Sequence, residues 1–303
     1  MSNEEYSGTL GRIVEYAVHN ATDVYRLGFY VGLTSFIMIT LFPFYWLLVL
    51  AVTPSDQLYQ MGVLPESFNP NVFITVFQQY PLHHYIFNSV VLASITVVVC
   101  ITLGSLAGYA FGRVDFPFKG PLLLVLLAIS YFPGIAFLIP LFELLTGSVS
   151  VLGVSSPDLY NTPWGMVFPF TMLSLPITIF ILTTFYEQIP DGLEDAARVE
   201  GTTRLGALFR VIMPLSAPGV VTAAIIVFIG VYREFFFSFI MTDGSPGNWA
   251  VLVYGILNFQ QQYTTQYNLM AAASLMGIIP IAVLVIFAQD HIVRGLTSGG
   301  LKE

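Results

Sequence analysis

Long apolar runs, rather than the short alternations of a soluble protein, set the pattern of this chain. Six segments, 30–52, 86–112, 121–145, 164–186, 219–241 and 269–289, contain only Glu143, Arg233 and Glu234 as charged residues. A hydrocarbon core about 30 Å thick is crossed by about 20 helical residues, so each run is long enough for one crossing. In lipid the backbone must find its hydrogen bonds within its own segment, which makes each run a helix. Barrel strands would be about 10 residues long and would alternate apolar with polar. The expected fold class is therefore all-α, a polytopic membrane protein with six transmembrane helices. Ahead of the first run the period changes. Leu10, Ile13, Val14, Ala17, Val18, Ala21, Val24 and Tyr25 recur on one helical face, with Arg12, Glu15, His19, Asp23 and Arg26 on the other. Such a stretch lies on a membrane surface or against a partner. The expected organisation is an amphipathic segment over 1–29, a transmembrane domain over 30–290 and a tail over 291–303. The first run has acidic residues before it and no small-residue cleavage pattern, so it reads as a retained span rather than a signal peptide.

Composition excludes the soluble alternatives. Of 303 residues 56% are hydrophobic and 9% charged, with a mean hydropathy of +0.78, too few charges to cover a water-facing surface. The net charge of −8 has the wrong sign for a nucleic-acid partner. A single cysteine, Cys100, allows no disulfide framework and no multi-cysteine metal site. No GxxxxGK, HExxH or GxSxG sequence is present, so no nucleotide, metal or hydrolase chemistry is expected in this chain. His83 and His84 read as an interfacial pair.

Orientation follows from the basic residues, which are retained on the cytoplasmic side. Arg12 and Arg26 precede the first run, Arg113 and Lys119 follow the second, Arg198, Arg204 and Arg210 follow the fourth, and Arg294 and Lys302 follow the sixth. The alternate loops 53–85, 146–163 and 242–268 hold no Lys or Arg. Both termini are expected in the cytoplasm of a multi-pass protein of the cell membrane. Gly104, Gly108 and Gly112, four apart on the second run, predict a close helix–helix approach. Pro43, Pro133 and Pro140, and Pro169 and Pro176 predict kinks or unwound turns in the first, third and fourth runs. Breaks of that kind are tolerated where they line a cavity, which makes the third and fourth runs pathway candidates.

The loop 187–218 concentrates charge: Glu187, Asp191, Glu194, Asp195, Arg198, Glu200, Arg204 and Arg210. Pro190 stands where a helix starts, and Asp191, Glu194 and Asp195 suit its positive end. Gly201 stops that helix, and Thr202 or Thr203 can cap a second. The second helix carries Leu205, Leu208, Phe209 and Ile212 and ends at Pro214. The expected object is a helix–turn–helix projecting from the membrane, a docking knob for a cytoplasmic partner.

This loop resembles the EAA signature of binding-protein-dependent ABC importer permeases. Asp195-Ala196-Ala197, then Glu200-Gly201-Thr202, then Phe209 and Pro214 follow its spacing, with Asp195, Glu200 and Thr202 where the pattern has Glu, Asp and Ala. Further elements resemble the six-span subunit of the maltose/multiple-sugar class. They are Phe42-Pro43-Phe44-Tyr45-Trp46, Asn88-Ser89, Gly108-Tyr109-Ala110 with Arg113 and Phe116-Pro117, Thr162 with Trp164-Gly165, and Arg294-Gly295-Leu296-Thr297 before Lys302. The resemblance spans roughly residues 30–303. It implies a permease that forms half of a sugar pathway, as a heterodimer with a second permease. The implied partners are two ABC ATPase subunits, which would bind ATP and Mg, and an extracytoplasmic sugar-binding protein. Glu194, Asp195, Ala196, Ala197, Glu200, Gly201, Thr202, Phe209 and Pro214 would couple the ATPase to the spans. A polyol or a glycerol-phosphate-type compound is the alternative solute, and an ion-coupled secondary transporter the alternative class. The second class predicts paired ionisable residues at the midplane or inverted repeats. Arg233 lies about 21 Å along the fifth run from residue 219, at a depth where an unpaired charge costs about 2.5 kcal/mol or more. Arg233, Glu234 and Tyr232 are the candidate pathway residues, with an ion pair to a partner chain or a lipid phosphate as the alternative for Arg233.

Overall fold

The computed structural model describes residues 19–65, 67–260 and 265–298, and for 290–298 the backbone alone. Two compact units divide at Asn69/Pro70. In the first, α1 (Ala21–Val52) is one unbroken helix with Pro43 inside it. Residues 21–29, expected in the separate amphipathic segment, are its opening turns; the rest of that segment, through Val18, lies outside the described residues. Val49, Ala51 and Val52 are buried at the far end. There the Tyr45 hydroxyl donates to the Val63 carbonyl (2.7 Å) and the Asn69 N–H to the Val52 carbonyl (2.8 Å), which folds 53–69 back onto α1.

The second unit opens with α2 (Val72–Gln79), α3 (Leu82–Arg113), α4 (Lys119–Ser130) and α5 (Leu138–Leu145). Strands β1 (Ser150–Val151) and β2 (Val154–Ser155) pair antiparallel across Leu152 and Gly153, both at positive φ. This hairpin is the one described departure from an all-helical chain. Then come α6 (Trp164–Glu187), α7 (Asp191–Val199), α8 (Arg204–Leu215) and α9 (Ala217–Tyr232). The unit closes with α10 (Phe236–Met241), α11 (Leu252–Leu257) and α12 (Tyr267–Ser298).

Four described helices, α1, α3, α6 and the first part of α12, are long and apolar enough to cross a membrane, and up to six crossings result if each bent pair counts as one. Two of the expected runs are not continuous. The third bends by 90° between α4 and α5, where Pro133 precedes a tight turn over Gly134–Phe137. The prolines of the first and fourth runs do not interrupt their helices. Surroundings account for the difference between the third and fourth runs: α6 lies along α3 and buries much of its length, whereas α4 buries none of its residues. For these two runs the bracing helix is the difference; α1 keeps its helix through Pro43 although that residue is exposed.

The fifth run, expected as one helix over 219–241, stops at Tyr232 and resumes at Phe236 without a proline. Side chains anchor both ends at this break. The Tyr232 hydroxyl donates to the Gly277 carbonyl of α12 (2.8 Å), and the Glu234 carboxylate accepts from the Phe237 N–H (3.2 Å), capping α10. The sixth run continues as helix to Ser298, into the segment expected as a separate tail; Lys302 lies outside the described residues.

The most extensive packing in the chain joins α3 to α6. Along the glycine stripe a Cβ on Gly104 would lie 2.6 Å from Thr178 Cγ2, and one on Gly108 would lie 3.0 Å from Leu182 Cβ and 3.2 Å from the Thr183 backbone nitrogen. Small residues there set the interhelical distance. At its first turns α3 fastens a distant segment. Asn88 Nδ2 donates to the Pro246 carbonyl (2.8 Å) and the Ala250 carbonyl (3.0 Å), Ser89 Oγ accepts from the Leu252 N–H (2.8 Å), and the Tyr85 hydroxyl donates to the Gly244 carbonyl (2.8 Å).

Candidate functional site

The knob between α6 and α9 is built as a helix, a glycine turn and a second helix. Pro190 leads into α7 with extended geometry. At its other end Gly201 has φ +94, its N–H donates to the Arg198 carbonyl (3.0 Å), and the Thr202 N–H donates to the Ala197 carbonyl (3.0 Å). This pair of bonds is a Schellman cap, whose left-handed position favours glycine. Thr203, rather than Thr202, caps the second helix, accepting from the Gly206 N–H (3.1 Å). Within α8 a widened turn covers Leu208–Ile212, and α8 meets α9 at 84°.

The four apolar side chains expected on one side of α8 divide. Leu208 and Ile212 are buried in a cluster with Tyr109, Leu182, Tyr186 and Ala223, whereas Leu205 and Phe209 are exposed. The widened turn rotates the two pairs apart. Helix α7 buries none of its residues, and Val199 near its end is 89% exposed. Asp195, Ala196, Glu200, Gly201, Phe209 and Pro214 are exposed, and Ala197 and Thr202 half-buried. The exposed apolar groups Val199, Leu205 and Phe209, with Asp195 and Glu200 among them, are the part of the knob available to a partner.

Glu194 does not belong to that surface. Its side chain is 13% exposed and accepts a short hydrogen bond from the Tyr109 hydroxyl of α3. Arg113, at the end of α3, has a side chain 4% exposed; Nη1 lies 2.5 Å from Asp191 Oδ1 and Nε 3.4 Å from Glu194 Oε2. Neither Arg113 Nε nor Nη2 makes a hydrogen bond among the described residues, so the contact with Glu194 is one of charge alone. Tyr109, Arg113, Asp191, Glu194, Asp195, Arg198 and Arg204 line a polar cavity of about 260 Å³. Sequence reasoning used Arg113 for orientation and Tyr109 for a motif, and missed both as partners of the knob. The four-residue spacing of Tyr109 and Arg113, matched by the three-residue spacing of Asp191 and Glu194, is the signal that was there.

The pathway candidates are not one cluster. Arg233 is exposed at the break of the fifth run, with no ion pair among the described residues. Tyr232 is buried and engaged with Gly277. Glu234 is occupied in capping α10. A cavity of about 170 Å³ opens instead where the third run breaks, between Ser130, Phe132, Gly134 and Phe137 on one side and Met172, Leu173 and Pro176 of α6 on the other. The rings of His83 and His84 meet at a tilt, centroids 4.3 Å apart, and no group of three metal-ligating side chains occurs among the described residues.

Residues 100–298 match the family described as binding-protein-dependent transport system inner membrane component. The chain is 34% identical over 86% of its length, and 89% of the relative's, to the sulfoquinovosyl glycerol transport system permease protein SmoH of Agrobacterium fabrum. It is 30% identical over 91% of its length, and 97% of the relative's, to the trehalose/maltose transport system permease protein MalG of Thermococcus litoralis. Among solved structures, a bacterial ABC transporter that imports the acidic polysaccharide alginate contains a chain with TM-score 0.72 at 16% identity, covering 90% of this chain and 98% of that one. At that identity the likeness is one of fold.

Proposed function

The chain belongs to the family of binding-protein-dependent transport system inner membrane components, and from that premise we propose that it is a permease subunit of an ATP-driven sugar importer. It forms half of the membrane pathway, paired with a second permease. Of two ABC ATPase subunits, holding ATP and Mg, one docks on its knob, and an extracytoplasmic binding protein delivers the solute. Loops 53–85, 146–163 and 242–268 face outward and both termini inward, as the basic residues imply.

The observation that carries this reading is the knob itself. Its apolar and acidic face stands free of the chain on a fixed Schellman turn, while Leu208 and Ile212 root α8 in the helix bundle. ATPase closure would push α7, and the spans would respond by alternating access. The exposed Arg233 and the cavity at the break of the third run are the groups on this chain best placed to meet solute. Sugar is the solute class because SmoH and MalG, the relatives above, are named for sugar glycosides and disaccharides. A glycerol-bearing or polyol solute is the second reading, favoured by the name of SmoH.

Purification of the chain with its co-expressed partners, followed by ATPase assays with the binding protein and a panel of sugars and polyols, tests the proposal. At least one sugar is expected to stimulate hydrolysis. Stimulation only by polyols would move the assignment to the second reading. Uptake driven by an ion gradient without ATP would remove the importer reading altogether.

A further inference from the structure

We infer that Tyr109 and Arg113 are positioning residues that make α3 the helix through which movement of the knob reaches the opposite side of the membrane. Covalently, the knob belongs to α6 and α9, so the loop sequence alone ties it to the fourth and fifth runs. The side chains add a third tie. Helix α7 buries nothing of its own. Apart from its two chain connections, its charged fastening to the bundle is the clasp of Tyr109 and Arg113 with Asp191 and Glu194. Of the two acids, Asp191 is 91% exposed and Glu194 13% exposed, so the Glu194 contacts are the ones shielded from water and salt. Arg113 donates to Asp191 through Nη1 and sets its charge 3.4 Å from Glu194 through Nε, without a hydrogen bond there; a lysine ammonium is a single point charge on a flexible stem and spans the two carboxylates less well.

The rest of α3 fits a transmitting element. Beyond the clasp, Gly104 and Gly108 press it against α6, and at the other end Tyr85, Asn88 and Ser89 hold Gly244, Pro246, Ala250 and Leu252 through hydrogen bonds, all buried but the half-buried one to Pro246. One continuous helix thus grips the knob at one end and the segment 244–252 at the other. Packed helices shift as units rather than deform, so a displacement of α7 held by the clasp moves both ends of α3. This inference rests on the knob being the ATPase dock.

A cysteine at Ser245, in a Cys100→Ala chain assembled with its ATPase and second permease in vesicles, reports on the far segment through its labelling rate with an impermeant maleimide. With Arg113 present, ATP plus vanadate is expected to change that rate at least about fivefold, the lower end of ordinary allosteric coupling. Arg113→Met should bind the ATPase yet abolish the change, Arg113→Lys should retain part of it, and Tyr109→Phe should reduce it less than Arg113→Met. An unaltered response in Arg113→Met overturns the inference, as does a response absent even with Arg113 in place. Loss of ATPase binding in both Arg113 variants also overturns it, because the clasp would then serve docking alone. If the parent chain fails to retain the ATPase at all, the docking role of the knob fails instead.

Discussion

Replacing Gly201 tests whether the angle of the knob, rather than its mere presence, drives transport. The residue sits at φ +94 with nothing within 4 Å of where a Cβ would be. A substitution there meets no neighbour, and its whole cost is backbone strain. A left-handed conformation costs an L-residue about 1–2 kcal/mol, with β-branched side chains the least tolerant and Asn the most. That energy favours a relaxed turn about 5–30-fold, and relaxing the turn breaks the two Schellman bonds from Gly201 and Thr202 and swings α7 against α8. Gly201→Val is therefore expected to assemble with the second permease but to show at least about fivefold lower binding-protein-stimulated ATPase activity and uptake. Gly201→Ala should lose less and Gly201→Asn least. Reconstituted vesicles assayed for both activities give the ranking. Equal loss in Asn and Val variants would assign the effect to a partner contact at this position rather than to φ, and wild-type behaviour of Gly201→Val would refute the requirement for a fixed turn.

Topology is checked by single cysteines in a Cys100→Ala chain. Positions Ser55, Ser155 and Ser245 should react with an impermeant reagent on intact cells, and labelling at Thr203 would invert the arrangement. Arg233→Met should lower solute uptake with assembly unchanged; unaltered uptake, or a complex that falls apart, removes Arg233 from the pathway. Asn88→Ala strands the buried carbonyl of Ala250 and the half-buried one of Pro246 and should destabilise the chain by about 1–3 kcal/mol, read as a lower thermal unfolding midpoint in detergent. An unchanged midpoint would mean those hydrogen bonds contribute nothing net.

Much of the architecture was legible in the order of residues because the bilayer enforces it locally. Apolar length alone marks the crossings, since a lipid-exposed segment must satisfy its backbone within itself. Pro190, Gly201 and Thr203 bound the two helices of the knob by φ preference and capping, which act within a few residues. Gly104 and Gly108 announced a close approach but not its partner; α6 became the partner only in the folded chain. A proline unwinds the third run, whereas those of the first and fourth leave their helices unbroken. For the fourth the reason is its neighbours, because α6 is braced along α3 while α4 has no buried residue. The break at Arg233 had no proline to betray it, and beside it Tyr232 reaches Gly277, forty-five residues away. Most of all, Glu194 looked like a partner-facing acid by position in its motif, yet Tyr109 and Arg113 draw it inward from eighty-five and eighty-one residues away. Sequence spacing fixes which face of a helix a charge lies on. Which charge from another helix meets that face is decided by packing, because only desolvation between the two helices makes the pair stronger than water at either surface.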